Sequence, residues 1–141
     1  MNSWMALDAV WTGSRARYVN SPGEDHVAGA VENAGELGIS AVKGQWEASV
    51  RVRYLGAYPL IEDDSLRADA ETMVNLRGAW KPGNFTVYAE VLNAFDAHGK
   101  DIVYYYAANV ASLDPPGVEV DGLMSRAEEP RTLRVGIKYQ Y

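Results

Sequence analysis

Apolar and polar residues alternate with a period of two along most of this chain, the pattern of strands that keep one apolar face. The C-terminal stretch shows it most clearly. Leu133, Val135, Ile137, Tyr139 and Tyr141 point one way, and Arg134, Gly136, Lys138 and Gln140 the other. In 46–54, Trp46, Ala48, Val50, Val52 and Tyr54 oppose Glu47, Ser49, Arg51 and Arg53. In 72–80, Thr72, Val74, Leu76, Gly78 and Trp80 oppose Met73, Asn75, Arg77 and Ala79. In 85–91, Phe85, Val87, Ala89 and Val91 oppose Thr86, Tyr88 and Glu90. Segments 4–12 and 36–43 are weaker versions, with Met5, Leu7, Ala9 and Trp11 on one face of the first and Leu37, Ile39 and Ala41 on one face of the second. Helical periodicity is nearly absent. The pattern predicts an all-β fold, an antiparallel up-and-down meander of about six strands over residues 1–141.

The connections alternate in length. Lys43-Gly44 and Lys81-Pro82-Gly83-Asn84 read as tight turns, whereas 19–33, 59–69 and 109–129 are long, polar and rich in Gly, Pro and Asp. Short turns at one end and long loops at the other are the habit of transmembrane barrels. The aromatic residues sort by height as well. Trp46, Trp80, Phe85, Tyr139 and Tyr141 lie near the tight turns or the chain end, and Tyr18, Tyr54, Tyr58 and Phe95 near the long loops. Two aromatic bands separated by aliphatic and small residues match the two interfaces of a bilayer. A soluble sheet with core aromatics is the alternative that the alternation leaves open.

Charge placement specifies the register. Arg51, Arg53, Arg77, Glu90 and Arg134 all fall opposite the aliphatic residues. A charge on the lipid face at mid-membrane costs about 2–4 kcal/mol. A slip of one residue would turn several of these charges outward together. The formal net charge of −6 argues against a nucleic-acid partner, which calls for a basic patch. The chain has no cysteine, so disulfides and cysteine-based metal sites are excluded. No apolar run approaches the roughly 18 residues of a membrane helix. The N-terminus, MNSWMALDAVWTGSR, lacks a basic region followed by an apolar stretch and does not read as a signal peptide. Taken alone, that would keep the protein in the cytoplasm, in conflict with the barrel pattern.

The chain ends Arg134-Val-Gly136-Ile-Lys-Tyr139-Gln-Tyr141, which resembles the terminal assembly signal of outer-membrane barrels. By that resemblance Arg134, Gly136, Tyr139 and Tyr141 would be read by the barrel-assembly machinery, in the manner of strand addition to an exposed edge. Further stretches resemble the TonB-dependent receptors. Val91-Leu-Asn-Ala-Phe-Asp96 is similar to the family's V-L-N-L-F-D stretch in the penultimate strand, with Ala94 in place of the usual Leu. Asp101-Ile-Val-Tyr-Tyr-Tyr106, then a long loop, then Glu129-Pro-Arg131 entering the last strand follow in the family's order. Upstream, Arg53-Tyr-Leu-Gly-Ala-Tyr-Pro-Leu60 and Thr72-Met-Val-Asn-Leu-Arg77 resemble the preceding strand, loop and strand. The resemblance covers nearly the whole chain and is best from about residue 46 onward.

The resemblance implies the C-terminal part of a barrel of about 22 strands filled by an N-terminal plug. Such a receptor imports scarce nutrients such as ferric siderophores, cobalamin or glycans across the Gram-negative outer membrane, on energy from the TonB complex. It also implies that the plug, the TonB box and a signal peptide are missing, and that Met1 begins a truncated gene, a gene fragment or a split reading frame. The expected partners are outer-membrane lipid, the rest of the barrel and plug, the assembly machinery and, only through the plug, the TonB complex. No cofactor and no enzyme activity are expected. Six strands fall below the usual small limit of about eight and leave two bare edges. The isolated chain is therefore expected not to form a stable transmembrane pore; if it folds, it curls into a distorted sheet or oligomerises.

Other chemistry is thinly supported. His26 and His98 sit in loop-like stretches, and Glu62-Asp63-Asp64 offers hard oxygen ligands suited to calcium, although a solvated acidic loop explains the run better. Glu128-Glu129 reads as loop charge. No nucleophile-elbow, zincin, phosphate-loop or dinucleotide fingerprint occurs. Tyr104, Tyr105 and Tyr106 are candidates for touching ligand at the outer mouth, against plain strand aromatics. Arg51, Arg53, Arg77, Glu90 and Lys138 are lumen-facing candidates, with Arg134 beside them; they would pair with the plug, screen an anionic ligand, or simply make a polar lumen. A small soluble β-barrel holding an apolar ligand and an outer-membrane enzyme barrel are the competing function classes.

Overall fold

The structure is a computed structural model that describes residues 4–19, 21–109 and 114–141. Among the described residues there are ten strands and no helix. The strands are β1 (Met5–Gly13), β2 (Asn33–Lys43), β3 (Trp46–Leu55), β4 (Tyr58–Pro59), β5 (Arg67–Ala68), β6 (Glu71–Trp80), β7 (Phe85–Leu92), β8 (Lys100–Ala108), β9 (Val120–Ala127) and β10 (Thr132–Tyr139).

Six long strands form one sheet in the order β1-β2-β3-β6-β7-β10, every neighbour antiparallel. These are the six segments that the alternation marks out. The register runs straight across them. Leu7, Ile39, Val50, Leu76, Val91 and Leu133 form one row of partners from edge to edge. Ala41, Ala48, Gly78, Ala89 and Val135 form the next. Since side chains alternate strictly in a strand, these rows put all the aliphatic positions on one face. The sheet is open, with β1 and β10 at its two edges.

The turns obey their chemistry. Gly44, at φ +60°, leads a two-residue hairpin between β2 and β3, the position where only glycine turns without strain. Pro82 and Gly83 (φ +61°) turn the chain between β6 and β7. The other three connections of the sheet are long and all leave the same end.

Those long connections hold the buried apolar cluster of the described residues. Tyr58, Leu60, Ala68 and Val103 are buried together, with Val31, Leu55, Leu66 and Tyr105 packed against them. Gly29 N–H donates to the Pro59 carbonyl at 2.8 Å and His26 N–H to the Glu62 carbonyl at 3.0 Å, tying the first long loop to the second. Arg67 clamps the same junction through Glu32 and Asp64, each at 2.5 Å. Both carboxylates hold the guanidinium charged, Glu32 the more strongly, and its pKa is raised.

Two details depart from the sequence expectation. The third long connection is not plain loop, because β8 and β9 pair within it as a separate hairpin, and β4 and β5 make a second small ladder. Residues 120–127 (VDGLMSRA) carry little strand signal of their own; β8 supplies it as a template. Tyr58, assigned by sequence to the aromatic band at the loop end, is 7% exposed inside the loop core instead. Two residues beyond Gly56, the chain has already turned away from the sheet.

Candidate functional site

The apolar face of the sheet is its most unusual surface. Leu7, Trp11, Leu133, Val135 and Ile137 are each about two-thirds exposed or more, and Leu37, Ile39, Val50 and Leu76 remain open between them. Isolated exposed apolar residues are ordinary, but a continuous apolar patch of this kind marks a surface built to be covered. Its aromatics pair across strands at both ends. Trp46 stacks on Trp80 at 5.9 Å and Phe85 tilts against Tyr139 at 4.9 Å beside the tight turns. At the loop end Trp11 stacks on Tyr54 at 5.7 Å across the intervening strand. Gly35 lies between these two rings in the register and allows this, since a Cβ there would come within 2.5 Å of the indole. Trp11 is thus a member of the upper band that the band assignment from sequence omits.

The opposite face carries the charge, already paired. Arg51 meets the Glu36 carboxylate and, at 3.8 Å, Asp8. Arg53 meets Glu128 at 3.0 Å, Arg77 meets Glu90 at 2.6 Å, and Arg134 meets Glu129 at 2.8 Å. Lys81 pairs with Glu47 near the turns. Lys138 lies on the same face of β10 as Arg134 and Gly136. The sequence-predicted lumen candidates therefore share one face, and four arginines are distinguished by different partners. Glu128, read from sequence as loop charge, is 7% exposed at its side chain and anchors the long loop to β3. Near the loop end this face holds a recess of 480 Å³ that takes in Asp8, Glu36, Arg51, Arg53, Glu71 and Glu128.

Tyr88 links three of these elements. It stands opposite Gly136 in the register, and a Cβ at Gly136 would lie 2.5 Å from its ring. The Arg77 guanidinium lies over the same ring, 5.2 Å from its centroid, a cation–π distance. Gly136 thus has a packing reason visible in the sheet: it seats Tyr88 of the neighbouring strand β7.

Asn93 and Asp96, from the Val91–Asp96 stretch, form a polar knot with Glu129-Pro-Arg131. Asn93 is 1% exposed. Its Nδ2 donates to the Ala97 and Glu129 carbonyls at 2.9 and 3.1 Å, and its Oδ1 accepts from Ala97 N–H at 2.8 Å. Asn75 Oδ1 accepts from Asn93 N–H at 3.0 Å. Asp96 Oδ1 accepts from Arg131 N–H at 3.1 Å. Both residues take positive φ, +48° and +56°, a region that asparagine and aspartate tolerate. Two stretches that carry the family resemblance separately are one structural unit, the exit of β7 locked to the entrance of β10.

The tyrosine run divides by face. Tyr104 and Tyr106 are exposed on one face of β8, and Tyr105 packs against the loop core. Tyr141 is fully exposed at the chain end, while Tyr139 belongs to the lower aromatic band. His26 stands between Asp25 and Asp64, at 3.4 and 3.5 Å, and Asp64 is held by Arg67. Asp63 caps Ser65 N–H at 3.0 Å, a bond that holds its carboxyl below the ordinary range. Among the described residues no three His, Cys, Asp or Glu side chains converge as a metal site. No protein-family model and no curated protein matches the chain.

Proposed function

We propose that this chain is a section of wall of a Gram-negative outer-membrane β-barrel of the TonB-dependent receptor kind. Its part in taking up a scarce nutrient, whether a siderophore-bound iron, cobalamin or a glycan, depends on a plug and further strands. The observation that carries this reading is the distribution of apolar surface: the sheet exposes a continuous oily face on all six strands, while the cluster of buried apolar residues lies among the long connections. A sheet so arranged gains little from water. Moving the single row Leu7-Ile39-Val50-Leu76-Val91-Leu133 into hydrocarbon is worth on the order of 10 kcal/mol.

The rest of the molecule is consistent with that placement. The paired aromatics lie towards the two ends of the strands, where a bilayer would have its interfaces. The ion-paired face fits a water-filled lumen, and the long loops with their own core fit the outer side. In this reading Tyr104 and Tyr106 are available at the outer mouth, the terminal strand is what the assembly machinery engages, and the chain is not an enzyme. A small soluble barrel around an apolar ligand would need that oily face packed inward, and here the face is exposed.

The test is insertion. The chain refolded into vesicles whose acyl chains carry bromine should show quenched fluorescence from Trp11, Trp46 and Trp80, with added protease cutting only the long loops. A water-soluble monomer with unquenched tryptophans overturns the reading.

A further inference from the structure

We propose that, without further strands, copies of this chain close a barrel by joining β10 of one copy to β1 of the next, an inference that rests on the membrane reading above. One copy has six strands and two open edges, and an open edge in hydrocarbon leaves backbone N–H and C=O groups without partners. Six is too few to close alone, about eight being the small limit. Without further strands, closure then takes more than one copy.

The fold selects among the ways of joining edges. Two β1 strands paired antiparallel keep the oily faces aligned but send the loops of the two copies to opposite ends. Two β1 strands paired parallel keep the loops together but turn one oily face to the lumen. The same holds for two β10 strands. The sheet has an even number of strands, so β1 and β10 run in opposite directions. Pairing β10 with the β1 of another copy is therefore antiparallel, keeps every long loop at one end and keeps the oily face continuous. No other joint does all three. It is also a head-to-tail interface, the type that generates rings.

Side chains agree with the topology. The lipid-side residues Leu133, Val135 and Ile137 of β10 would continue the band into Leu7, Ala9 and Trp11 of β1. On the other face β10 presents Arg134 and Lys138, and β1 presents Asp8. The joint sets cations against a carboxylate, whereas like-with-like joints set charge against its own sign. Two, three or four copies give about 12, 18 or 24 strands, within the range that outer-membrane barrels span.

The chain has no cysteine, which makes the joint directly readable. Variants Ala6→Cys or Val10→Cys on β1 are mixed with Thr132→Cys or Lys138→Cys on β10, refolded together in vesicles and oxidised. At least one mixed pair should link tenfold more than either variant with itself. The unmodified chain in detergent should weigh two to four copies. Asp8→Lys should shift it toward monomer, and adding Arg134→Glu with Lys138→Glu should restore the assembly. Equal linking of β1 variants to themselves, an unlimited ladder of polymers, or failure of the unmodified chain to fold in lipid overturns the proposal. A folded, membrane-inserted monomer with quenched tryptophans also overturns it, yet leaves the wall reading standing. A water-soluble monomer removes both.

Discussion

Asn93 does at one position what the surrounding loop cannot do with backbone alone. Its side chain makes three hydrogen bonds to main-chain atoms, one of them 36 residues away at Glu129, in a site it shares with no solvent. Leaving those groups unpaired costs more than the bonds contribute when made. Asn93→Ala should therefore lower unfolding stability in lipid vesicles by about 2–3 kcal/mol in a urea titration. Phe95→Ala, two residues on and 80% exposed, should change it by less than about 0.5 kcal/mol. The contrast was not legible in the sequence. Phe95 looks the more structural of the two, and the polar partner of Asn93 lies beyond a long connection. The pairing of Tyr88 with Gly136 was hidden for the same reason, since a tyrosine and a glycine on polar faces become neighbours only once the register between β7 and β10 is known.

At the scale of strands, the alternation was enough. Each long strand has one face that tolerates charge and one that does not, and adjacent residues belong to opposite faces. Val50 lies in the middle of the oily face and Ser49 on the ion-paired face of the same strand, β3. Val50→Arg should destabilise the lipid-folded chain by about 2–4 kcal/mol, and Ser49→Arg by about 1 kcal/mol or less. If the face met water, the two substitutions would cost about the same, so the difference between them, measured by the same titration, tests the environment of the face. The β8–β9 hairpin shows where strand patterning stops being informative. Neither β8, around Tyr104, Tyr105 and Tyr106, nor β9, with Val120, Leu123 and Met124 set among Asp121, Ser125 and Arg126, alternates with a period of two, and β9 gains its conformation from pairing. A segment that depends on a partner for its strand state has little signature alone.

The whole molecule divides into a sheet with no core of its own and a loop cap that has one. Leu60, 5% exposed, sits in that cap among Tyr58, Ala68 and Val103. Truncating a buried leucine removes its transfer energy and leaves a cavity, so Leu60→Ala should weaken the cap by about 2–4 kcal/mol. In limited proteolysis, cleavage within 14–32 and 56–70 should quicken while fragments of the sheet persist. Simultaneous loss of both would mean that cap and sheet unfold as one unit. The long loops thus have two tasks at different places: Arg67, Glu32 and the buried cluster hold them to one another, and Glu128 and Asn93 hold them to the sheet.

By itself the sequence determined the six long strands of the sheet, their two faces, the sidedness of turns and loops and the register of charge, because period-two alternation is a local property and each of these strands carries it independently. It also showed glycines and prolines where the chain turns tightly. Only the tertiary structure decided that the core belongs to the loops, that Tyr58 leaves the aromatic band, that Glu128 is a buried anchor, and that the stretches around Asn93 and Glu129 form a single knot. Each of these depends on contacts between residues far apart in the chain, and no local pattern encodes which loop another loop will meet.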